Sequence, residues 1–275
     1  MKTKTNDYTI LVFRHGESRY WQGNNPVTIE EASDLAVPLA QGETERSEDA
    51  KTRTVRTKEA IEKVMQNAVL ARDYFEMTEF CLHSSPTGRA LHSAKVIAHT
   101  FSSLGFSLRG AILSLTELTE VRHFNWKLFA PLCVGGEVEI NGEKFVIDVA
   151  DSNPRNLSFG AFFYHDFMHG LPRNIKKKWP TAYVKAIEKL ERAIDVRRRM
   201  RTVLRSLTRQ PMRQVIVVTH DALCGFLVRT FTHGKETELA KGEFVVLKGN
   251  AEKLVVTAVG QNTTGDSKTT IFDFA

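Results

Sequence analysis

The stretch that most constrains this chain is Thr9-Ile10-Leu11-Val12-Phe13-Arg14-His15-Gly16-Glu17-Ser18. An apolar, β-prone run that breaks directly into Arg-His-Gly-Glu reads as a buried strand ending in a polar turn. In open α/β sheets the side chains that handle a ligand lie just past the carboxyl ends of strands. Arg14 and His15 fall at that place. Gly16 has no Cβ, so the backbone there can approach a ligand closely. The chemistry this points to is phosphoryl transfer onto an imidazole, with His15 as nucleophile and Arg14 as part of an anion clamp. Alone, an Arg-His pair after a strand is more often a surface turn, so the weight has to come from the rest of the chain.

The 275 residues, 42% of them hydrophobic, are enough for a substantial core in one domain carrying an insertion. The opening Met-Lys-Thr-Lys-Thr-Asn-Asp lacks the apolar stretch of a signal peptide. No run approaches the roughly 18 apolar residues of a membrane span. Cys81, Cys133 and Cys224 are odd in number and far apart, which argues against a disulfide framework or a zinc site. A reducing, cytoplasmic compartment is expected, although export without a cleaved signal would leave the same sequence. No metal, no cofactor and no membrane partner are expected. The net charge of +6 and pI of about 9.2 fit either a field that draws anionic substrates or a basic solvated surface. A nucleic-acid partner is not expected, because neither a known motif nor an aromatic-studded basic strand is present.

Taken in order, residues 19–26 form a loop by their Gly, Asn and Pro content. From about Glu43 to Met77 the apolar residues Ala60, Ile61, Val64, Met65, Ala68, Val69 and Ala71 recur at helical spacing. Phe80-Cys81-Leu82-His83 reads as a second strand, followed by Ser84-Ser85-Pro86-Thr87-Gly88-Arg89 and a helix to about Leu104. Pro86 suits a helix start, and Arg89 falls in the first turn, where anions are favoured and a guanidinium offers a fork of donors. Arg109 to Leu115 suggests a third strand. The span 121–178 lacks long periodicity but holds a hairpin signal around Asn141-Gly142. It reads as an inserted lid over the site or, equally, as a surface excursion.

Pro180 opens a long amphipathic helix that Pro211 stops, with Arg197-Arg198-Arg199 assigned to its outer face. Val215-Ile216-Val217-Val218-Thr219-His220 then repeats the logic of the first strand, a β-branched run with His at its carboxyl end. Asp221 is placed to cap the helix 222–230. Phe244–Leu247 and Leu254–Thr257 look like a closing antiparallel pair.

Three strand ends thus carry Arg14-His15, Arg89 and His220. In this order they resemble the histidine phosphatase superfamily, whose best-known branch is the cofactor-dependent phosphoglycerate mutases. Arg14-His15-Gly16-Glu17-Ser18 matches the opening motif, and Asp34 with Leu39 and Gly42 loosely resembles the segment that follows it. Ser84-Ser85-Pro86-x-x-Arg89-Ala90 matches the second Arg motif, and Val217-Val218-Thr219-His220 the second His. The resemblance covers most of the chain, with 121–178 least matched. It implies an α/β fold, a three-layer sandwich with a mostly parallel central sheet flanked by helices.

The resemblance also implies a mechanism. His15 becomes phosphohistidine, Arg14, Arg89 and His220 hold the phosphoryl oxygens with Gly16 beside them, and a carboxylic acid protonates the leaving oxygen. No metal is required. Imidazole attacks only through an unprotonated nitrogen, so a neighbouring group, expected to be a backbone carbonyl, must hold the tautomer of His15. Glu120 is preferred over Glu117 as the acid. The chain departs from the family pattern in having Trp21 where Asn is usual, with Asn24 or Asn25 as substitutes. It also has Asp221 where Gly is common after the second His, and a longer connection from Gly42 to Ser84. The expected activity is that of a histidine acid phosphatase-like phosphomonoesterase on a small phosphorylated molecule, a phosphoprotein remaining open. The alternatives are a phosphoglycerate mutase-type phosphotransferase, or a non-catalytic module binding a phosphate ester or a partner on the same fold.

Overall fold

The computed structural model describes residues 7–16, 19–20, 45–46, 53–55, 58–119, 136–140, 143–147, 181, 184–185, 191–232, 239–260 and 270–273. The strands among them are β1 (Tyr8–Arg14), β2 (Arg19–Tyr20), β3 (Glu45–Arg46), β4 (Arg53–Val55), β5 (Glu79–Ser84), β6 (Ser107–Leu108) and β7 (Leu113–Ser114). They continue with β8 (Gly136–Ile140), β9 (Glu143–Ile147), β10 (Gln214–Thr219), β11 (Phe244–Gly249), β12 (Lys253–Val259) and β13 (Thr270–Asp273). The described helices are α1 (Lys58–Ala71), α2 (Gly88–Ser103), α3 (Ala193–Leu207) and α4 (Asp221–Phe231).

The main sheet has the order β13-β12-β11-β1-β10-β5-β6, with β7 also on β5. From β1 through β10 and β5 to β6 and β7 the pairings are parallel; β11, β12 and β13 are added antiparallel. The α/β class with a mostly parallel centre is therefore as expected. Because β1, β10 and β5 run in one direction, their carboxyl ends share one edge. Arg14 is opposite Thr219, and Val218 is opposite Ser84. This register brings three distant segments to one place.

Strand β10 is buried along its whole length and β1 from Ile10 onward, as parallel strands with helices on both sides require. Leu11, Phe13, Phe80, Leu82, Ile216, Val218, Phe244 and Val246 form one core with Ile61, Val64 and Ala68 of α1 and Ala94, Ile97 and Phe101 of α2. The alternate residues Ile10, Val12, Val215 and Val217 are equally buried, pointing to the other face. There α4 packs against β1, β11 and β12.

Several expectations are refined. The helical pattern from Glu43 yields α1 only from Lys58, with a 3-10 turn at Arg72–Tyr74; β3 and β4 occupy part of the earlier stretch. Thr54 and Val55 are β-branched and favour strand. The expected third strand divides into β6 and β7, with Gly110 between them at φ +80, a conformation that interrupts a strand. Arg197 and Arg198 are exposed as expected, but Arg199 is buried and paired with Glu191, its Nη2 2.5 Å from Oε2. The hairpin signal is matched by antiparallel β8 and β9, with Ile140 opposite Glu143.

Contacts divide the chain into two compact units. One is Met1–Thr119 with Met200–Ala275, and the other is Glu120–Arg199. The expected lid at 121–178 falls in the second unit, and apart from β8 and β9 it lies outside the described residues.

Candidate active site

The site forms at the carboxyl ends of β1, β10 and β5, entirely within the first unit. His15 follows β1 and is 7% exposed; its backbone N–H donates to the Thr219 carbonyl. Gly16 is buried because α1 passes directly over it. A Cβ there would lie 2.8 Å from Val64 Cγ2, so a larger residue requires the Val64 side chain or α1 to shift. The Gly16 N–H donates to Ser93 Oγ (2.9 Å), and Ser93 Oγ–H donates to the Arg89 carbonyl (2.9 Å). This chain of contacts ties the β1 turn to the first turns of α2. On the other side, Gly242 at φ +82 donates its N–H to the Arg14 and His15 carbonyls.

Hydrogen-bond chemistry assigns the imidazole tautomers. A guanidinium can only donate. Arg89 Nε is 3.1 Å from His15 Nε2, and Arg89 Nη2 is 3.2 Å from His220 Nδ1. Both of those ring nitrogens are therefore acceptors, and both imidazoles are neutral in this arrangement. His15 carries its proton on Nδ1 and donates it to the Gly16 carbonyl at 2.7 Å. This is the backbone carbonyl expected from the sequence, and it leaves the lone pair on Nε2. His220 carries its proton on Nε2, 2.8 Å from Ser85 Oγ and 3.1 Å from Thr87 Oγ1. The two rings stand edge to face with centroids 5.0 Å apart.

Arg14 belongs to the same cluster by a different route. Its Nη1 donates to the Leu239 carbonyl, and its Nη2 lies 3.2 Å from Asp221 Oδ2. The sequence places Asp221 as the cap of α4, but it does not occupy the cap position. The cap position is His220, with extended backbone and no side-chain cap hydrogen bond, and Asp221 lies in the first turn. Its carboxylate turns to Arg14 because the sheet register places a guanidinium at that strand end.

Of the residues expected from the sequence, His15, Arg89 and His220 meet through direct hydrogen bonds, Arg14 flanks them through Asp221, and Gly16 packs beneath them. Glu120 lies outside the described residues. Glu117 sits in a 3-10 turn, Thr116–Leu118, with Thr116 Oγ1 donating to its Oε2 at 3.3 Å. That turn is anchored to the site's edge, since Leu118 O accepts from Thr219 Oγ1 (2.7 Å) and Leu115 N–H donates to Ser84 O (2.8 Å). Sequence reasoning missed Ser85, Thr87 and Ser93 as partners of this cluster. The run of hydroxyl residues at the β5 end was the available signal for Ser85 and Thr87. No local signal marked Ser93 or Leu239.

Residues 155–261 match the family model described as the histidine phosphatase superfamily (branch 1). Among curated proteins no sequence matches the chain. A crystal structure of phosphoglycerate mutase from Bacillus anthracis aligns with TM-score 0.51 and 14% identity, over 94% of this chain and 96% of the other. A mycobacterial glucosyl-3-phosphoglycerate phosphatase aligns with TM-score 0.50 and 13% identity, over 93% of this chain and all of the other (100%). Residues 155–261 are thus similar to the histidine phosphatase superfamily by the family model, and nearly the whole length of the chain shares the fold of these two structures. No described helix is long and apolar enough to cross a membrane.

Proposed function

From that premise we propose that the chain is a phosphomonoesterase working through phospho-His15. The observation that carries this reading is the single guanidinium of Arg89 joining His15 Nε2 to His220 Nδ1. An arriving phosphate ester takes over the donors of Arg89 and uncovers Nε2. The lone pair of Nε2 attacks phosphorus, the P–O bond to the leaving group breaks, and a carboxylic acid gives that oxygen its proton. Water then attacks the phosphohistidine, loses a proton to the same carboxylate, and returns His15 to its neutral form. Charge accumulates on the phosphoryl oxygens during both transfers, so positioned cations favour the transition state over the ground state. Arg14 and Arg89 are the guanidiniums assigned to those oxygens, with the Gly16 turn setting the position of His15. His220, once Arg89 leaves its Nδ1, takes up there the acidic proton of the phosphate monoester monoanion and donates it back to an oxygen as an imidazolium.

Glu120 is proposed as the acid, with Glu117 as the alternative. Losing a general acid harms esters with poor leaving groups more than aryl esters. The variant, Glu120→Gln or Glu117→Gln, that loses alkyl phosphate turnover while sparing p-nitrophenyl phosphate identifies it. The proposal includes one domain over residues 1–275 with an insertion at about 121–178, and a small phosphorylated substrate.

The primary test is phosphate release across a phosphometabolite panel, with acid-quench trapping of phosphohistidine and His15→Ala as control. Absence of turnover in wild type, or full turnover in His15→Ala, defeats the hydrolase reading. Phosphoryl transfer between 2- and 3-phosphoglycerate without release of phosphate would assign a phosphotransferase instead. Phosphate-ester binding with no trapped intermediate would assign a non-catalytic module.

A further inference from the structure

Asp221 stands where its charge should oppose phosphate, yet it is built into the site. It follows His220 directly and lies in the first turn of α4. Its Oδ2 is 3.2 Å from Arg14 Nη2, and the two side chains are only 14% and 9% exposed. The parallel register sets Arg14 opposite Thr219, two residues before Asp221. The second terminal nitrogen of Arg14 donates to the Leu239 carbonyl. The guanidinium is therefore held from two sides.

Three roles for such a carboxylate can be separated. A helix cap is not its position, since His220 is the cap residue and Asp221 already lies inside the first turn of α4. A contribution to stability alone is a poor account, because desolvation offsets much of the attraction in a largely buried pair. What the pair does supply is orientation. An unrestrained Arg side chain has many rotamers and loses them each time it clamps an anion, whereas a tethered one has lost them on folding. The carboxylate charge is meanwhile directed at the guanidinium rather than left facing the anion cradle.

We propose that Asp221 is a positioning residue, holding the Arg14 guanidinium in the one orientation that serves the transferring phosphoryl group. This rests on the phosphomonoesterase reading. The test is a double-mutant cycle of wild type, Arg14→Ala, Asp221→Ala and the double variant, read in kcat, in KM and in affinity for inorganic phosphate. Asp221→Ala is expected to lower kcat by roughly tenfold to a hundredfold, the scale of a misplaced catalytic contact. KM should move less than about threefold, since the loss falls in the transition state. In the Arg14→Ala background the same change should alter kcat by less than about twofold, because the two act as a unit. Asp221→Asn, which keeps an oxygen for the guanidinium, should recover part of the loss, and it replaces Asp221→Ala in the cycle if the alanine variant does not fold.

Additive losses overturn the proposal, as does an Asp221→Ala enzyme with unchanged kcat. So does a shift in the basic limb of the kcat–pH profile that persists without Arg14, which would mark Asp221 as a proton donor. If wild type turns over no ester, the phosphomonoesterase reading fails separately. The cycle is then read in phosphate affinity, where non-additivity supports the tether and additivity rejects it.

Discussion

The two ends of the parallel strands are built in opposite ways. At the amino-terminal end Gln214, 3% exposed, uses its whole amide as a staple. Its Oε1 accepts from the N–H groups of Glu76 (2.6 Å) and Met77 (2.7 Å), and its Nε2 donates to the carbonyls of Met77 (2.6 Å) and Glu79 (3.0 Å). Each partner is a backbone group and none carries charge. At the carboxyl end, imidazoles, guanidiniums and a carboxylate bond to one another. The first arrangement is satisfied permanently. In the second, Arg89 donates to nitrogens that a phosphate oxygen can replace. A neutral amide among fixed backbone groups gives stability, whereas exchangeable charged contacts leave room for chemistry.

The comparison breaks most sharply on His15. Replacing it with Ala should lower phosphatase kcat by about 10⁴-fold or more, as loss of a nucleophile does, while the melting temperature stays close to wild type. A smaller loss of activity would mean that the carboxyl end does not use this nitrogen. Arg89→Ala comes next, with an expected fall of about 10²–10³-fold in kcat for one removed oxyanion donor and weaker competitive inhibition by vanadate. Should vanadate bind as tightly to the variant, Arg89 is not an anion ligand.

Gln214→Ala should do the reverse. It strands four backbone groups, and refilling by water offsets part of the cost, so a loss of about 2–4 kcal/mol in urea unfolding is expected. The kcat of the folded fraction should stay within about twofold of wild type, because the staple and the site share no group. A large fall in kcat would show that the two ends are coupled.

His83 sharpens the contrast between neighbouring histidines. It lies on β5, is 1% exposed, and burial pushes its pKa below the usual imidazole value, with a hydrogen bond to Gln210 opposing that shift. A folded-state pKa below the unfolded value means that the unfolded chain binds the extra proton. The contribution of His83 to stability is thus intact above about pH 6.5 and is lost as the pH falls below it. His83→Asn should flatten the acid limb of the stability–pH curve by at most about 1.4 kcal/mol per pH unit. An unchanged acid limb would show that His83 is protonated equally in both states.

Much of this was legible in the linear chain, and the reason is local. Ile10–Phe13 and Val215–Val218 are continuous apolar β-prone runs, so their strands and carboxyl-end histidines could be read without knowing the fold. Pro86 marked the start of α2 and put Arg89 in its first turn. The boundaries of α1 and the split between β6 and β7 were less legible, because helical spacing overlaps β-branched segments and a turn glycine resembles a bulge. Helix α4 was expected from residue 222 and begins at Asp221.

The strand ends and the residue types placed on them follow from the linear chain alone. Propensity and hydrophobic period act over a few residues and need no partner. Which of these residues meet is fixed only by packing. The parallel register of β1 with β10 brought Asp221 to Arg14, and the packing of α2 brought Ser93 to Gly16 and Arg89 to both imidazoles. Those pairings join residues tens to hundreds of positions apart, and no local preference encodes them. They exist because burying both faces of one sheet leaves its polar strand ends a single shared edge.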